Sequence, residues 1–204
     1  MPQPRHLHMR FRFRSVPAFW AILVSATLTH AVQAGQTNQS GIEIDNFGQV
    51  NSNYYRGSQP NVAGFMQLKK LGVRSVIDLQ KRRRTHESAW VRDAGMQYFN
   101  VPLSSRRPAT AAQTEYFLKL VNDPENWPVY VHCAHGRHRA GEMTAIYRIA
   151  HDSWTASQAY EEMRRYRYYS FWGHGSLKKY VYRYYESRRS LPGDAVPKSA
   201  PVSK

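Results

Sequence analysis

Short apolar runs and amphipathic stretches alternate along the chain from about residue 54 to residue 185. The runs rich in β-branched and aromatic residues predict strands, whereas apolar positions spaced three and four apart predict helices. The predicted strands are YYRGSQ, VRSVIDL, MQYFNVPL and PVYVHC. The predicted helices cover about residues 62–71, 86–94, 110–120, 141–150, 155–164 and 177–185. Strands separated by helices predict a single α/β domain, with a mostly parallel central sheet flanked by helices.

Three local signals place the starts of helices. Asn61 follows a proline and can cap the first helix, and the pairs Thr110 with Gln113 and Thr155 with Gln158 form capping boxes. In a capping box the two side chains satisfy backbone N–H groups that the first turn of a helix leaves free. These signals fix the start of three of the six predicted helices.

The N-terminus has the pattern of an export signal. Four arginines and no carboxylate precede an apolar run at residues 16–28, and small residues follow at Val32 and Ala34. This pattern predicts a signal peptide at residues 1–34, cleaved after Ala34, and a periplasmic or secreted protein. The run is short for a transmembrane helix, so an uncleaved anchor is the less favoured alternative.

The remaining boundaries follow from composition. Residues 35–48 are polar and weakly patterned, which predicts a linker or an irregular lead-in, and the α/β domain would cover residues 49–190. Residues 191–204 carry three prolines with glycine, serine and lysine, which predicts a disordered tail.

The charge balance is strongly basic, because 29 Lys and Arg oppose 14 Asp and Glu. Such a surface concentrates anions: phosphorylated substrates, anionic membrane surfaces or nucleic acid, unless it is simply solvated. Export argues against nucleic acid. The arginines, lysines and tyrosines interleaved over residues 160–189 are typical of helices that bury tyrosine rings, and a docking surface for anionic substrate or a peripheral membrane contact remains the alternative.

The most informative stretch is PVYVHCAHGRHRAG, at residues 128–141. A buried strand brings Cys133 to its carboxyl end, and the helix that follows directs its free N–H groups and positive dipole end at the intervening loop. This arrangement favours an anion and the thiolate form of the cysteine. Arg139 can fold back and bind two phosphoryl oxygens with its planar guanidinium.

The segment HCAHGRHRAG resembles the HC-x2-G-x2-R-[ST]-G loop of protein-tyrosine and dual-specificity phosphatases. YYRGSQP, VRSVIDLQ and AIYRIAHDSWTASQAYEEM resemble a bacterial branch of that family with periplasmic members. The resemblance implies a phosphoric monoester hydrolase without metal or cofactor, in which Cys133 and Arg139 are catalytic and Cys133 forms a phosphocysteine. The phosphate-binding residues that it implies are Ala134, His135, Gly136, Arg137, His138 and Arg139.

The resemblance also implies a substrate. Phosphotyrosine protein is the default in this family. Inositol polyphosphates or pyrophosphates are the alternative, because Arg137 and His138 resemble the basic loop of plant and fungal atypical dual-specificity phosphatases.

Two positions depart from the family pattern. The stretch VPLSSRRPAT, where the family supplies an aspartic general acid, has no carboxylate, which leaves Asp78 and the loop histidines as candidate acids. Ala140 replaces the Ser or Thr whose hydroxyl bonds the sulfur. A pseudophosphatase that only binds phosphorylated ligands is therefore a second hypothesis.

The loop allows two other interpretations. Cys133 with His132, His135 and His138 could form a metal site, but Arg137 and Arg139 would repel a cation. A rhodanese-type sulfurtransferase also places a cysteine before a helix, although the Cys-x5-Arg spacing favours phosphate.

Overall fold

The computed structural model describes residues 41–81 and 86–190. The strands are β1 (Gly48–Asn51), β2 (Tyr54–Ser58), β3 (Ser75–Gln80), β4 (Gln97–Leu103) and β5 (Val129–Cys133). The helices are α1 (Val62–Lys70), α2 (Glu87–Asp93), α3 (Ala111–Asn122), α4 (Arg139–His151), α5 (Ala156–Arg165) and α6 (Gly175–Arg189).

In this part of the chain the strands form one sheet in the order β1-β2-β5-β3-β4. β5 pairs in parallel with β2 and β3, and β3 pairs in parallel with β4, whereas β1 is antiparallel to β2. Cys133 lies opposite Ser58, and His132 lies opposite both Gly57 and Asp78. The predicted mostly parallel α/β sheet is confirmed, and the carboxyl ends of its inner strands meet around Cys133.

Helices cover both faces of the sheet. On one face, Phe65 of α1 and Val91 of α2 pack into a cluster with the sheet residues Val76 and Tyr130. On the other face, Phe117 of α3 and Met143 of α4 join sheet residues in a second cluster. Side chains of α4, α5 and α6 form a third cluster around residues such as Met163 and Val181. Burial of apolar surface on both faces stabilises the layers by about 25 cal/mol per Å².

The predicted helix starts are confirmed. The Asn61 side chain accepts a hydrogen bond from the Gly64 N–H at 2.8 Å, and both capping boxes form. α6 is longer than predicted and continues to Arg189. Its last turn is exposed and charged, so it carries no apolar periodicity from which its length could be predicted.

Residues 41–47, in the segment predicted as a linker or an irregular lead-in, form neither helix nor strand, and β1 begins at Gly48. Ile44 and Asn46 of this segment are buried. β1 contains a single apolar residue, Val50, so its formation depends on pairing with β2 and not on a local pattern. The predicted signal peptide and tail lie outside the described residues. None of the helices in the described ranges has the length and apolar character needed to cross a membrane.

Candidate active site

The cysteine loop joins the central strand to α4, a helix of 13 residues. Cys133 ends β5 and is 3% exposed, and α4 begins six residues later at Arg139. His138 is the N-cap of α4, and its side chain makes no capping hydrogen bond. The N–H groups of the first turn are therefore left for the loop or an anion to satisfy.

Gly136 holds the loop against the neighbouring strand. Its φ is +63°, a conformation that residues with side chains rarely adopt, and a Cβ there would lie 2.5 Å from the carbonyl carbon of Gly57. The Gly136 carbonyl oxygen accepts hydrogen bonds from Arg56 Nη2 at 2.6 Å and from Asn46 Nδ2 at 2.9 Å. Since this carbonyl points back into the protein, it turns away from a bound anion.

Asn46, which precedes β1, and Arg56, on β2, reach the loop from the same side of the sheet. Asn46 adopts a left-handed conformation, with φ at 57°, and also donates to the backbone oxygen of Tyr166 at 3.0 Å. The guanidinium of Arg56 is fully buried and lies 3.9 Å from the centre of the Tyr166 ring. A cation over an aromatic face compensates part of its lost hydration. These two residues were not predicted as part of the site, because they precede Cys133 by more than 75 positions.

A cluster of buried polar side chains surrounds His132, the residue before Cys133. His132 Nε2 is 2.8 Å from Glu87 Oε1, and both side chains are fully buried. Asp78 accepts hydrogen bonds from the Gln80 N–H and the Tyr98 hydroxyl, and burial raises its pKa. Asp78 is thus held beside His132 and does not line the cavity described below, which argues against its predicted role as general acid.

Among the described residues, the side chains grouped like metal ligands are Asp78, Glu87 and His132, whose ligand atoms lie within 4.8 Å of one another. This set differs from the cysteine-and-histidine set considered as a metal site from the sequence. His135 and His138 do not join it, because the loop carries them to the cavity wall. Each of these three side chains contacts another group of the protein, so we interpret the cluster as structural support for the cysteine loop.

The loop opens into a cavity of about 420 Å³. It is lined by Ser105, Arg106, Cys133, Ala134, His135, Arg137, His138, Arg139, Tyr169 and His174. The predicted catalytic and phosphate-binding residues thus come together around one space, apart from Gly136, which faces Gly57. The lining contains cations and no carboxylate, so this wall is complementary to an anion.

Two histidines stack at the cavity wall. The rings of His138 and His174 are 3.7 Å apart and nearly parallel, and the Tyr169 ring meets His138 edge-on at 4.4 Å. Burial, with His174 and Arg137 nearby, lowers the pKa of His138 to about 4. His138 is therefore neutral near pH 7, which makes this loop histidine a poor proton donor. His174 was not predicted, because it stands among basic and aromatic residues without a motif of its own.

The loop after β4 carries the stretch SSRRPAT, which contains no carboxylate. Its Ser105 and Arg106 carbonyl oxygens accept hydrogen bonds from His174 Nδ1 at 2.8 Å and from the Ser176 hydroxyl at 2.6 Å. Near its other end, Ala109 donates its N–H to Glu142 Oε1 at 3.0 Å. Burial raises the pKa of Glu142 to about 8, so this carboxyl is protonated at neutral pH. Both ends of the loop are thereby fixed to the layer of α4 and α6.

Ala140 lies behind the cysteine. It is fully buried and belongs to the same core cluster as Cys133. Its methyl group cannot donate a hydrogen bond, so the sulfur has no hydroxyl partner from this position.

Comparisons with known proteins agree with this architecture. Residues 29–176 match the family model described as "DSP-PTPase phosphatase fused to NAD+ Kinase". The dual specificity protein phosphatase TpbA of Pseudomonas aeruginosa is 31% identical over 111 residues, which cover 54% of this chain and 50% of TpbA. The inositol diphosphatase SIW14 of Saccharomyces cerevisiae is 26% identical over 153 residues, covering 72% of this chain and 52% of that protein. The chain thus spans about half the length of these relatives.

The fold agrees as well. The catalytic core of SIW14 superposes with a TM-score of 0.61 at 23% identity, over 69% of this chain and 86% of that structure. The family model covers well over half of the residues here, and the strand, cysteine loop and helix lie where the sequence motif requires them. This chain is a member of the DSP-PTPase family of dual-specificity and tyrosine phosphatases.

Proposed function

We propose that this protein is a cysteine-dependent phosphatase that hydrolyses a phosphate ester through a phosphocysteine on Cys133. The observation that carries the proposal is the shared cavity: the nucleophile, Arg139 and the uncapped N-terminus of α4 surround one space lined by cations. The Cys133 thiolate attacks phosphorus, while Arg139 and the helix N-terminus stabilise negative charge on the transferring phosphoryl group.

The reaction divides into two steps. The Cys133 thiolate attacks phosphorus, the Sγ–P bond forms, and the bond from phosphorus to the leaving oxygen breaks. Arg139 binds two of the remaining phosphoryl oxygens. Water then attacks the phosphocysteine, which releases inorganic phosphate and restores the thiolate.

Phosphotyrosine is the first candidate substrate. Tyr169 lines the cavity and stacks on Phe171 at 4.4 Å, so an aromatic surface stands beside the place where a phenyl ring would enter. Aromatic pairs of this kind add about 0.5–1.5 kcal/mol beyond area burial. TpbA, whose name describes a dual-specificity protein phosphatase, supports this choice.

An inositol diphosphate is the second candidate. With Arg139 assigned to the transferred phosphoryl group, Arg106 and Arg137 remain in the same wall without a carboxylate beside them in the lining. They could bind a second phosphate group of one substrate. SIW14, named as an inositol diphosphatase, supports this alternative.

The test is a substrate panel with a Cys133→Ser control. We expect p-nitrophenyl phosphate to be hydrolysed with accumulation of a phosphorylated protein, detected by intact mass, and the Ser variant to be at least about 10⁴-fold slower. A phosphotyrosine peptide, a phosphoserine peptide and an inositol diphosphate then rank the substrates by kcat/KM. Absence of turnover in the wild type, with phosphopeptide binding retained, would instead favour a pseudophosphatase.

A further inference from the structure

His174 lines the same cavity as Cys133, although it comes from the loop between α5 and α6. It is the N-cap residue of α6, and its carbonyl oxygen accepts a hydrogen bond from the Tyr168 hydroxyl at 2.6 Å. Its ring is fixed on a second side by the stacked His138 ring. The backbone contact and the stacked ring hold His174 at the cavity wall.

The hydrogen bond to Ser105 determines which ring nitrogen carries the exchangeable proton. The Ser105 carbonyl oxygen can only accept, so Nδ1 of His174 must donate across the 2.8 Å that separates them. Nδ1 therefore keeps its hydrogen in both the neutral and the charged ring. The remaining nitrogen, Nε2, is the position from which a proton could be donated to a ligand.

The stacked pair favours one protonated ring and not two. Like charges at 3.7 Å repel, and burial keeps His138 neutral near pH 7. Tyr169 faces His174 edge-on at 5.3 Å, and Arg106 and Arg139 share the cavity wall with it. Arg137 lines the same wall, so the surroundings of the His174 ring are cationic, and a bound phosphate ester would bring negative charge next to it.

The carboxylates near the site accept hydrogen bonds from other groups of the protein. Asp78 accepts from Tyr98 and Gln80, and Glu142 accepts from Ala109. Neither lines the cavity, and no other carboxylate of the described residues does.

We propose that His174 is the general acid of this phosphatase, an inference that rests on the function proposed above. As Cys133 Sγ bonds to phosphorus, Nε2–H of the imidazolium gives its proton to the departing ester oxygen, which leaves as a neutral alcohol or phenol. The neutral ring then takes a proton from the water that attacks phosphocysteine, and the imidazolium is restored. His174 thus takes the role of the aspartate that is missing from the loop after β4. The same loop contains Ser105, whose carbonyl oxygen accepts the hydrogen bond from His174 Nδ1.

The decisive variant is His174→Asn, because an Asn amide can still donate to the Ser105 carbonyl but cannot supply a titrating proton. We compare phenyl phosphate, whose leaving group needs a proton, with p-nitrophenyl phosphate, whose nitrophenolate leaves without one. Loss of a general acid costs about 10²- to 10⁴-fold. We therefore expect kcat/KM for phenyl phosphate to fall by about 10²-fold or more, and for p-nitrophenyl phosphate by less than about tenfold. The alkaline limb of the wild-type pH profile should also disappear.

The controls separate a catalytic from a structural role. His151→Gln changes a half-exposed histidine at the far end of α4 and should leave both substrates unchanged. His174→Gln, which cannot titrate either, repeats the measurement if the Asn variant is unstable to heat. Equal losses on both substrates, an unchanged pH profile, or full activity of the Asn variant would overturn the proposal.

The same experiment distinguishes the two proposals. If wild-type protein mixed with p-nitrophenyl phosphate forms phosphocysteine and His174→Asn still hydrolyses phenyl phosphate normally, the general-acid role fails and the phosphatase remains. If the wild type forms no phosphocysteine and releases no phenol, both fail together.

Discussion

The two sides of the cysteine loop are built in opposite ways. On the side that faces the sheet, Gly136 touches the Gly57 backbone, and its carbonyl receives donors from the buried Arg56 and Asn46. On the side that faces the cavity, Arg106, Arg137 and other cations line an open space. The buried side uses its polar groups to hold one backbone shape, whereas the open side leaves its charges available to a ligand.

This difference separates shape from chemistry. A buried carbonyl that loses its donor costs about 1–3 kcal/mol, so the sheet side resists any change in the loop. An exposed cation loses little when it changes partner, because water and salt screen it. Substitutions on the buried side should therefore lower stability and activity together, and substitutions on the open side should lower activity alone.

The largest effect is expected from Gly136→Ala, which changes the buried side of the cysteine loop directly. The new Cβ would lie 2.5–2.8 Å from backbone atoms of Gly57 and Ser58, and the positive φ adds strain. A left-handed residue costs about 1–2 kcal/mol and overpacking about 1–3, so the free energy of unfolding should fall by about 2–5 kcal/mol. Displacement of the loop should lower kcat/KM by about 100-fold or more. Urea unfolding and p-nitrophenyl phosphate kinetics measure both.

Gly141→Ala is the matched control within the same motif. Its Cβ would meet Met163 at 3.6 Å, an ordinary contact, and the position is helical. Alanine is favoured over glycine inside a helix by about 1 kcal/mol, so this variant should be at least as stable as the wild type. If both alanine variants lose the same stability, the close approach to β2 is not what holds the loop.

The sequence predicted the open side better than the buried side. Cys133 through Arg139 form a continuous motif, so the residues that meet a phosphate are neighbours in the chain and their spacing is informative. The elements around them carry local signals, such as the Thr110 capping box, that the structure confirms. The parallel sheet followed from the alternation of strands and helices.

The supporting residues carry no comparable signal. Asn46 lies in a segment predicted as a linker or an irregular lead-in, and it reaches Gly136 because β1 pairs with β2 at the sheet edge. His174 lies 35 positions beyond the motif, between two glycines in a stretch that carries no recognisable motif. Contacts of this kind depend on the tertiary arrangement, which periodicity along the chain does not encode. The acid role predicted for Asp78 is disfavoured for the same reason, since its strand turns it toward Tyr98.

Glu142→Gln should affect stability alone, and only as a pH dependence. The folded protein keeps the Glu142 proton up to about pH 8, whereas the ordinary pKa of a glutamate is 4.5. The stabilisation from this proton is complete below pH 4.5 and is lost as pH rises toward 8, at about 1.4 kcal/mol per pH unit. Gln can still accept from the Ala109 N–H and has no proton to lose. The variant should therefore gain stability relative to the wild type as pH increases.

Denaturant unfolding at several pH values between 5 and 8 checks this expectation. The two proteins should be nearly equal in stability at pH 5 and should separate steadily up to pH 8. Glu186→Gln, which removes an exposed carboxylate on α6, should show no such trend. A stability difference between Glu142→Gln and wild type that does not change with pH would show that the buried carboxyl is not protonated in the folded state.

The smallest effect is expected at Ala140, where a single hydroxyl would connect the buried side to the chemistry. Breakdown of phosphocysteine requires the Cys133 sulfur to leave as a thiolate, and a hydroxyl at position 140 would donate a hydrogen bond to it. Such a bond to a charged group is worth roughly 1.5–3 kcal/mol, which is tenfold or more in rate. Because Ala140 is fully buried, serine is the better test than threonine, which would add a further methyl group.

Wild type mixed rapidly with p-nitrophenyl phosphate should release about one equivalent of nitrophenol in a burst and then turn over slowly. Ala140→Ser should turn over about tenfold faster, with a smaller burst. Ala145→Ser buries a hydroxyl in the next helical turn, away from the sulfur, and should lower stability without changing the burst. If the wild type shows no burst and Ala140→Ser is no faster, departure of sulfur does not limit the rate, and the alanine does not slow turnover.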